Sequence, residues 1–393
     1  MLKILSIKVS GYKLLKDNFE INFVNKARVN KEELETEVLQ IDENLYTFRN
    51  FAFVGANSSG KSTILSLILE VGIFLQTGRW QYNPLEFKND KITLKISFYL
   101  NDYLYSYETS FKKIDAGKMT ISGIYLPIEN EKLKKIKYDA NKGRTALIQL
   151  EESKTYDNSL LEKSLYDTSA ISILTKNEII VDQFNTNSVV NFTESIVRNS
   201  FFELLPECDK KLSTSIIQLL DNSIEYIIYN NENNIRFKRF GEDEKIVTST
   251  NLILMLSAGT LRGVELYIRA IEALKFGKIF IVDEIENCFQ KNLVYNLMFL
   301  FNNEEINKKG AQLFFSTHYI EILDYLNRRD EIFITHKING KIDAKNLYSD
   351  YNVRTELLKS KQFDNNVFDT NLNYNQLMTV RKYIIDELYS NNE

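Results

Sequence analysis

The chain has 393 residues, 44% of them apolar, enough to bury the core of one large domain or two ordinary ones, which excludes a small disulfide-stapled module. Its 49 basic and 53 acidic residues leave a net charge of −4, so no overall positive field draws it to nucleic acid or to an anionic membrane. Only two cysteines occur, Cys208 and Cys288, without zinc or disulfide spacing, and no run approaches the roughly 18 apolar residues of a membrane helix. These features predict a soluble protein of a reducing, cytoplasmic setting that makes no membrane contact.

In chain order, Leu5, Ile7 and Val9 alternate with polar residues, as do Phe19, Ile21 and Phe23, which predicts an antiparallel hairpin. Residues 26–45 are charged and weakly periodic. The apolar run Phe51 to Val54 then enters Gly55 as a buried strand enters a loop, and from Lys61 the period becomes helical, with Ile64, Leu67, Ile68, Val71 and Leu75 on one face. Ile92 to Leu100 and Tyr103 to Phe111 read as a second hairpin around Asn101-Asp102. Residues 125–220 read as mostly helical, without a heptad run long enough for a coiled-coil arm. The last third alternates helix Thr260 to Leu274, strand Ile279 to Val282, helix Lys291 to Phe301, strand Leu313 to Phe315, helix Ile320 to Leu326 and strand Ile332 to Thr335. Such alternation predicts parallel strands with crossover helices.

Four short segments carry the chemistry. GANSSGKST, Gly55 to Thr63, lies between the predicted strand and helix and fits the phosphate-loop pattern of Gly, four residues, Gly, Lys and Ser or Thr. Gly55 and Gly60 allow the tight curl. The backbone N–H groups of Asn57, Ser58, Ser59 and Thr63 face phosphate, Lys61 brings a point charge to the β- and γ-phosphates, and the Ser62 hydroxyl completes a Mg²⁺ shell. KIFIVDEIEN places Asp283 and Glu284 at the carboxyl end of a strand, where ligands sit in open α/β sheets; Asp283 suits Mg²⁺ and Glu284 the attacking water. Leu256-Ser-Ala-Gly259 opens an amphipathic helix, so Ser257 and Gly259 stand at an anion-favouring N-terminus, although such a sequence alone is an ordinary cap. LFFSTH ends a buried strand in His318; His336 lacks a comparable context.

Taken in this order, GANSSGKST, LSAGTLRG, KIFIVDEIEN and FFSTH resemble the Walker A, signature, Walker B and switch-histidine motifs of ABC-type ATPases. The N-terminal hairpin, the LSxGTxR signature and the DEIEN wording resemble the SMC-like and OLD-like heads grouped with AAA-type ATPases, found in prokaryotic anti-phage systems. The resemblance covers roughly residues 1–115 and 220–355. It implies an α/β ABC-ATPase head with a mostly parallel central sheet, an N-terminal antiparallel β subdomain and a helical insertion. Its parts would be residues 1–120 with the hairpins and Walker A, the insertion 121–220, and residues 221–393 with the signature, Walker B and His318.

The resemblance further implies ATP and Mg²⁺ as ligands and ATP hydrolysis with Glu284, Lys61 and His318 as catalytic residues. It implies a homodimer or higher homo-oligomer in which Ser257 and Gly259 of one copy complete the site of the other. The 75 residues after His318 are too few for a fused nuclease domain, so a separate effector, a nuclease or another toxin, is the expected partner. A nucleic-acid partner stays open and draws no support from charge. The competing classes are a DNA-repair ATPase, which wants a long coiled coil, a transporter subunit, and a nucleotide sensor that does not hydrolyse.

Overall fold

The computed structural model describes residues 2–81, 90–113, 125–154, 156–157, 159–165, 167–175, 181–185, 209–287, 289–352, 357–370 and 374–389. Cys208 and Cys288 lie outside them. Strands β1 (Lys3–Ser10) and β2 (Phe19–Asn22) form the first predicted hairpin. The weakly periodic stretch that follows holds a short helix, Lys31–Thr36, and a hairpin of β3 (Val38–Asp42) and β4 (Leu45–Phe48). Next come β5 (Asn50–Val54), buried throughout, and then β6 (Lys91–Leu100), β7 (Tyr103–Lys112) and β8 (Ile128–Lys137). Asn101 and Asp102 between β6 and β7 both have positive φ, 49° and 65°, the backbone that a two-residue hairpin turn needs. Strand β9 (Val181–Asn185) precedes a small separate sheet of β10 (Ile224–Asn231), β11 (Asn234–Arg239) and β12 (Lys245–Val247). The last four are β13 (Ile279–Asp283), β14 (Gln312–Thr317), β15 (Ile332–Ile338) and β16 (Lys341–Asn346).

The central sheet has the order β16-β15-β5-β14-β13-β9, with all neighbours parallel except the antiparallel β15–β16 edge pair. Both of its faces are covered, which is why its strands are continuous apolar runs. Phe51, Phe53, Ile279, Ile281 and Phe314 point into one core with the helix Lys61–Thr77 and residues of the antiparallel sheet β2-β1-β6-β7-β8. Ala52, Val54, Phe280, Val282, Leu313 and Phe315 point into the other, against the helices Ala258–Phe276 and Lys291–Asn302. Phe51 stacks on Phe314 at 4.4 Å between centroids, so adjacent strands lock through aromatic contacts on that face.

The parallel central sheet and the N-terminal antiparallel part agree with the expectation from sequence. The middle of the chain holds two strands as well as helices. Residues 125–220 supply β8 to the antiparallel sheet and β9 to the edge of the central one, and their described helices are short: Ala146–Glu152, Ile171–Thr175 and Lys210–Leu220. The described residues of this segment thus add an edge strand to each of the two sheets beside these helices. The expected helix Ile320 to Leu326 is a 3₁₀ turn over Ile320–Asp324. No helix among the described residues is long and apolar enough to cross a membrane.

Candidate functional site

In the sheet order, β14 lies between β5 and β13, so three strand ends meet. The register pairs Thr317 with Val54 and Phe315 with Val282, which brings the loop after Val54, the Asp283-Glu284 pair and His318 to one edge of the sheet. This is the carboxyl edge, where open α/β sheets bind ligands.

The loop Gly55 to Gly60 is a tight curl that opens the helix Lys61–Thr77. Gly60 has φ +108°, and a Cβ there would stand 2.4 Å from Ile342 Cγ2; Gly55 has φ +155°, with Thr335 Oγ1 2.4 Å from its would-be Cβ. Only glycine is free of strain at both. Ser58 takes φ +60°, which helps turn successive N–H groups inward. Lys61 folds back over the loop and donates to the carbonyls of Gly55 at 3.0 Å and Ala56 at 3.2 Å. Burial lowers its pKa, and the nearby charges of Asp283, Glu284 and Glu286 act in the opposite direction. Those carboxylates favour the charged lysine that a phosphate ligand needs. The Ser62 side chain, next on the helix, is exposed.

Ser59 has a different surrounding from its loop neighbours. It is buried, its hydroxyl stands 2.5 Å from that of Thr335, and Thr335 in turn donates to the Val54 carbonyl at 3.1 Å. Its side chain pins the loop to β15, while Asn57 and Ser58 stay exposed on the outer curve.

At the end of β13, Ser316 links the two acids: its hydroxyl donates to Asp283 Oδ1 and accepts from the Glu284 N–H at 2.7 Å. Glu284 has φ +51°, an uncommon backbone for a non-glycine residue, and it turns the side chain out of the strand direction. Glu284 Oε1 comes to 3.8 Å from His318 Nε2. Glu286 is a further member that sequence reasoning missed. It is buried, accepts from the His318 N–H at 2.5 Å, and its second oxygen has no hydrogen-bond partner among the described residues. Spacing alone does not separate Glu286 from a surface acid of the next turn. Ser316 was equally hidden, since its role appears only once β13 and β14 are in register.

Lys61, Ser62, Asp283, Glu284 and His318 thus share one neighbourhood. Ser257 and Gly259 do not join it through any hydrogen bond among the described residues. Ser257 caps the helix Ala258–Phe276, accepting from the Thr260 N–H at 3.0 Å, and Ser257 and Ala258 are exposed. His336 bonds instead to the Tyr351 hydroxyl at 2.5 Å, and burial lowers its pKa. Two clefts flank the loop. One of about 340 Å³ lies beside His318 and Phe363, and one of about 560 Å³ lies against β15 and Tyr351.

These residues fit Mg²⁺-ATP. The loop can be formed only with glycine at two points, its lysine is fixed at the helix start, and an acid ends β13, the next strand but one, with the geometry just described. Residues 51–324 match the family model described as AAA domain, putative AbiEii toxin, Type IV TA system. No curated protein matches the chain. Among solved structures, the SMC head domain from Thermotoga maritima has a TM-score of 0.41 and 13% identity, covering 88% of this chain and 98% of that one. The family match takes in the phosphate loop, the Asp283 strand and His318 together, and on that ground the chain belongs to this AAA-domain family of nucleotide-binding P-loop ATPases.

Proposed function

We propose that the protein hydrolyses Mg²⁺-ATP between two copies of itself and that this cycle regulates a separate effector in an anti-phage defence complex. The observation that carries the reading is the division of the motifs. Lys61, Asp283, Glu284 and His318 converge at one edge of the sheet, whereas the exposed N-terminus capped by Ser257 has no hydrogen bond to them. A second copy would bring Ser257 and Gly259 to the γ-phosphate, and the helix N-terminus would add charge stabilisation only on closure. The family's description as a putative toxin of a type IV toxin–antitoxin system supports a defence setting.

In this reading, a Mg²⁺ ion held by Ser62 and Asp283 would supply positive charge to offset the negative charge of the phosphates. The loop N–H groups and Lys61 bind and orient the β- and γ-phosphates, Ser62 and Asp283 hold the ion, and Glu284 accepts the proton of the attacking water. His318, beside Glu284, fixes the orientation of that base. The 3.8 Å approach of the two side chains supports this pairing.

The test is a turnover assay paired with light scattering. Wild type should hydrolyse ATP, and Glu284→Gln should lower kcat by about 10²–10⁴-fold while accumulating an ATP-bound dimer. A wild type that binds ATP yet never turns it over would overturn hydrolysis in favour of a nucleotide sensor.

A further inference from the structure

We propose that the cleft on the β15 side of the phosphate loop is the nucleoside-binding site, with Val367, Tyr351 and Asp369 meeting the base and sugar. This inference rests on the nucleotide-binding reading and adds which of two clefts takes the non-phosphate part of the ligand. Direction comes from the sheet. Strand β5, which carries the loop, has β14 on one side and β15 on the other. Asp283, Glu284 and His318 all stand at the ends of β13 and β14. A γ-phosphate held for attack must point to that side, so the rest of the nucleotide extends to the other, toward β15.

On that side lies the cleft of about 560 Å³, bounded by Asn57 and Ser58 of the loop and by Lys345, Tyr351, Val367 and Asp369. Its size falls within the range of small-molecule sites. Its lining combines the two surfaces that a nucleoside needs. Val367 is 49% exposed although apolar, and it adjoins the aromatic pair Tyr351–Phe368, whose rings meet edge to face at 5.1 Å. Tyr351 is held in place by its hydroxyl bond to His336. Around this apolar floor stand the Lys345 ammonium, 5.9 Å from the Tyr351 ring, and the exposed Asp369, a carboxylate able to accept from sugar hydroxyls or an exocyclic amino group. The second cleft, with His318, Phe363 and Asp364, lies on the catalytic side, and its one aromatic ring, Phe363, is buried against Phe368.

The test compares Mg²⁺-ATP with inorganic tripolyphosphate by titration calorimetry on the full chain. Val367→Arg replaces a half-exposed side chain and fills the cleft floor. The expected result is a loss of ATP affinity of about tenfold, the scale of base stacking, with tripolyphosphate binding undiminished. Asp364→Arg in the other cleft should leave the ratio of the two affinities as in wild type. Unchanged ATP binding by Val367→Arg, or a selective loss of ATP in Asp364→Arg, overturns the assignment. A wild type that binds neither probe overturns the nucleotide reading itself, so the two failures are distinct.

Discussion

Removing the Ser316 hydroxyl should slow turnover far more than it weakens ATP binding. That hydroxyl is fully buried and serves two partners, Asp283 Oδ1 as acceptor and the Glu284 N–H as donor. Ser316→Ala deletes a hydrogen bond to a charged group, about 1.5–3 kcal/mol, and leaves a backbone N–H without its partner, about 1–3 kcal/mol. Because the two losses share one relaxation, the expected destabilisation is about 2–4 kcal/mol. Glu284 also sits at φ +51°, a backbone that persists only while its surroundings hold it, so its carboxylate loses its fixed aim. Misplacing a catalytic base on this scale lowers kcat by about 10–100-fold. The phosphate loop is untouched, and the Kd for ATP should stay within about threefold. Urea unfolding can be followed through Trp80, the chain's single tryptophan and a buried one, alongside a phosphate-release assay. Wild-type kcat in a destabilised variant would refute the argument that Ser316 positions the base.

Two further predictions test other parts of the structure. Glu331 is completely buried with neither carboxylate oxygen bonded, and burial, then the charges of Glu37 and Asp330, raises its pKa well above the ordinary 4.5. A raised folded value means that its contribution to stability is fully present below the unfolded value and is lost as pH rises through the folded one. Glu331→Gln should therefore flatten the fall in stability with rising pH and gain about 1–3 kcal/mol at pH 8, read from urea midpoints; equal pH slopes in both proteins would contradict this. Gly60→Ala forces a Cβ onto φ +108° and against Ile342, a cost of about 1–3 kcal/mol, and should reduce ATP affinity by about tenfold or more in a fluorescent-nucleotide titration.

Besides the alternating hairpins β1–β2 and β6–β7, the parts of the fold legible from sequence are the strands buried on both faces. Asn50–Val54, Ile279–Asp283 and Gln312–Thr317 announce themselves as apolar runs because helices cover both sides of their sheet. Strand β8 escaped because it is a sheet edge. Its sequence IENEKLKKIK is mostly exposed or half-buried and rich in lysine, a composition that guards an edge against pairing with other chains and hides the alternation of a strand. Strand β9, at the far edge of the central sheet, is too short to declare a period.

The site divides in the same way. Lys61, Ser62, Asp283 and Glu284 are readable because strand, loop and spacing coincide locally. Ser316, Glu286 and Thr335 act across strands, and nothing within several residues of each reveals the partner 32 to 281 positions away. The pocket against Tyr351 and Val367 likewise needs the chain to return from its far end.

The placement of β5 between β14 and β15 has a consequence for synthesis. The strand that bears the phosphate loop is finished by residue 54, yet both of its neighbours come from residues 312–338. At about 5–20 residues per second, the ribosome delivers the second of them roughly 15–60 s later. Until then the loop has no β15 to anchor Ser59, so an emerging chain carries the most recognisable part of the site before its support is in place.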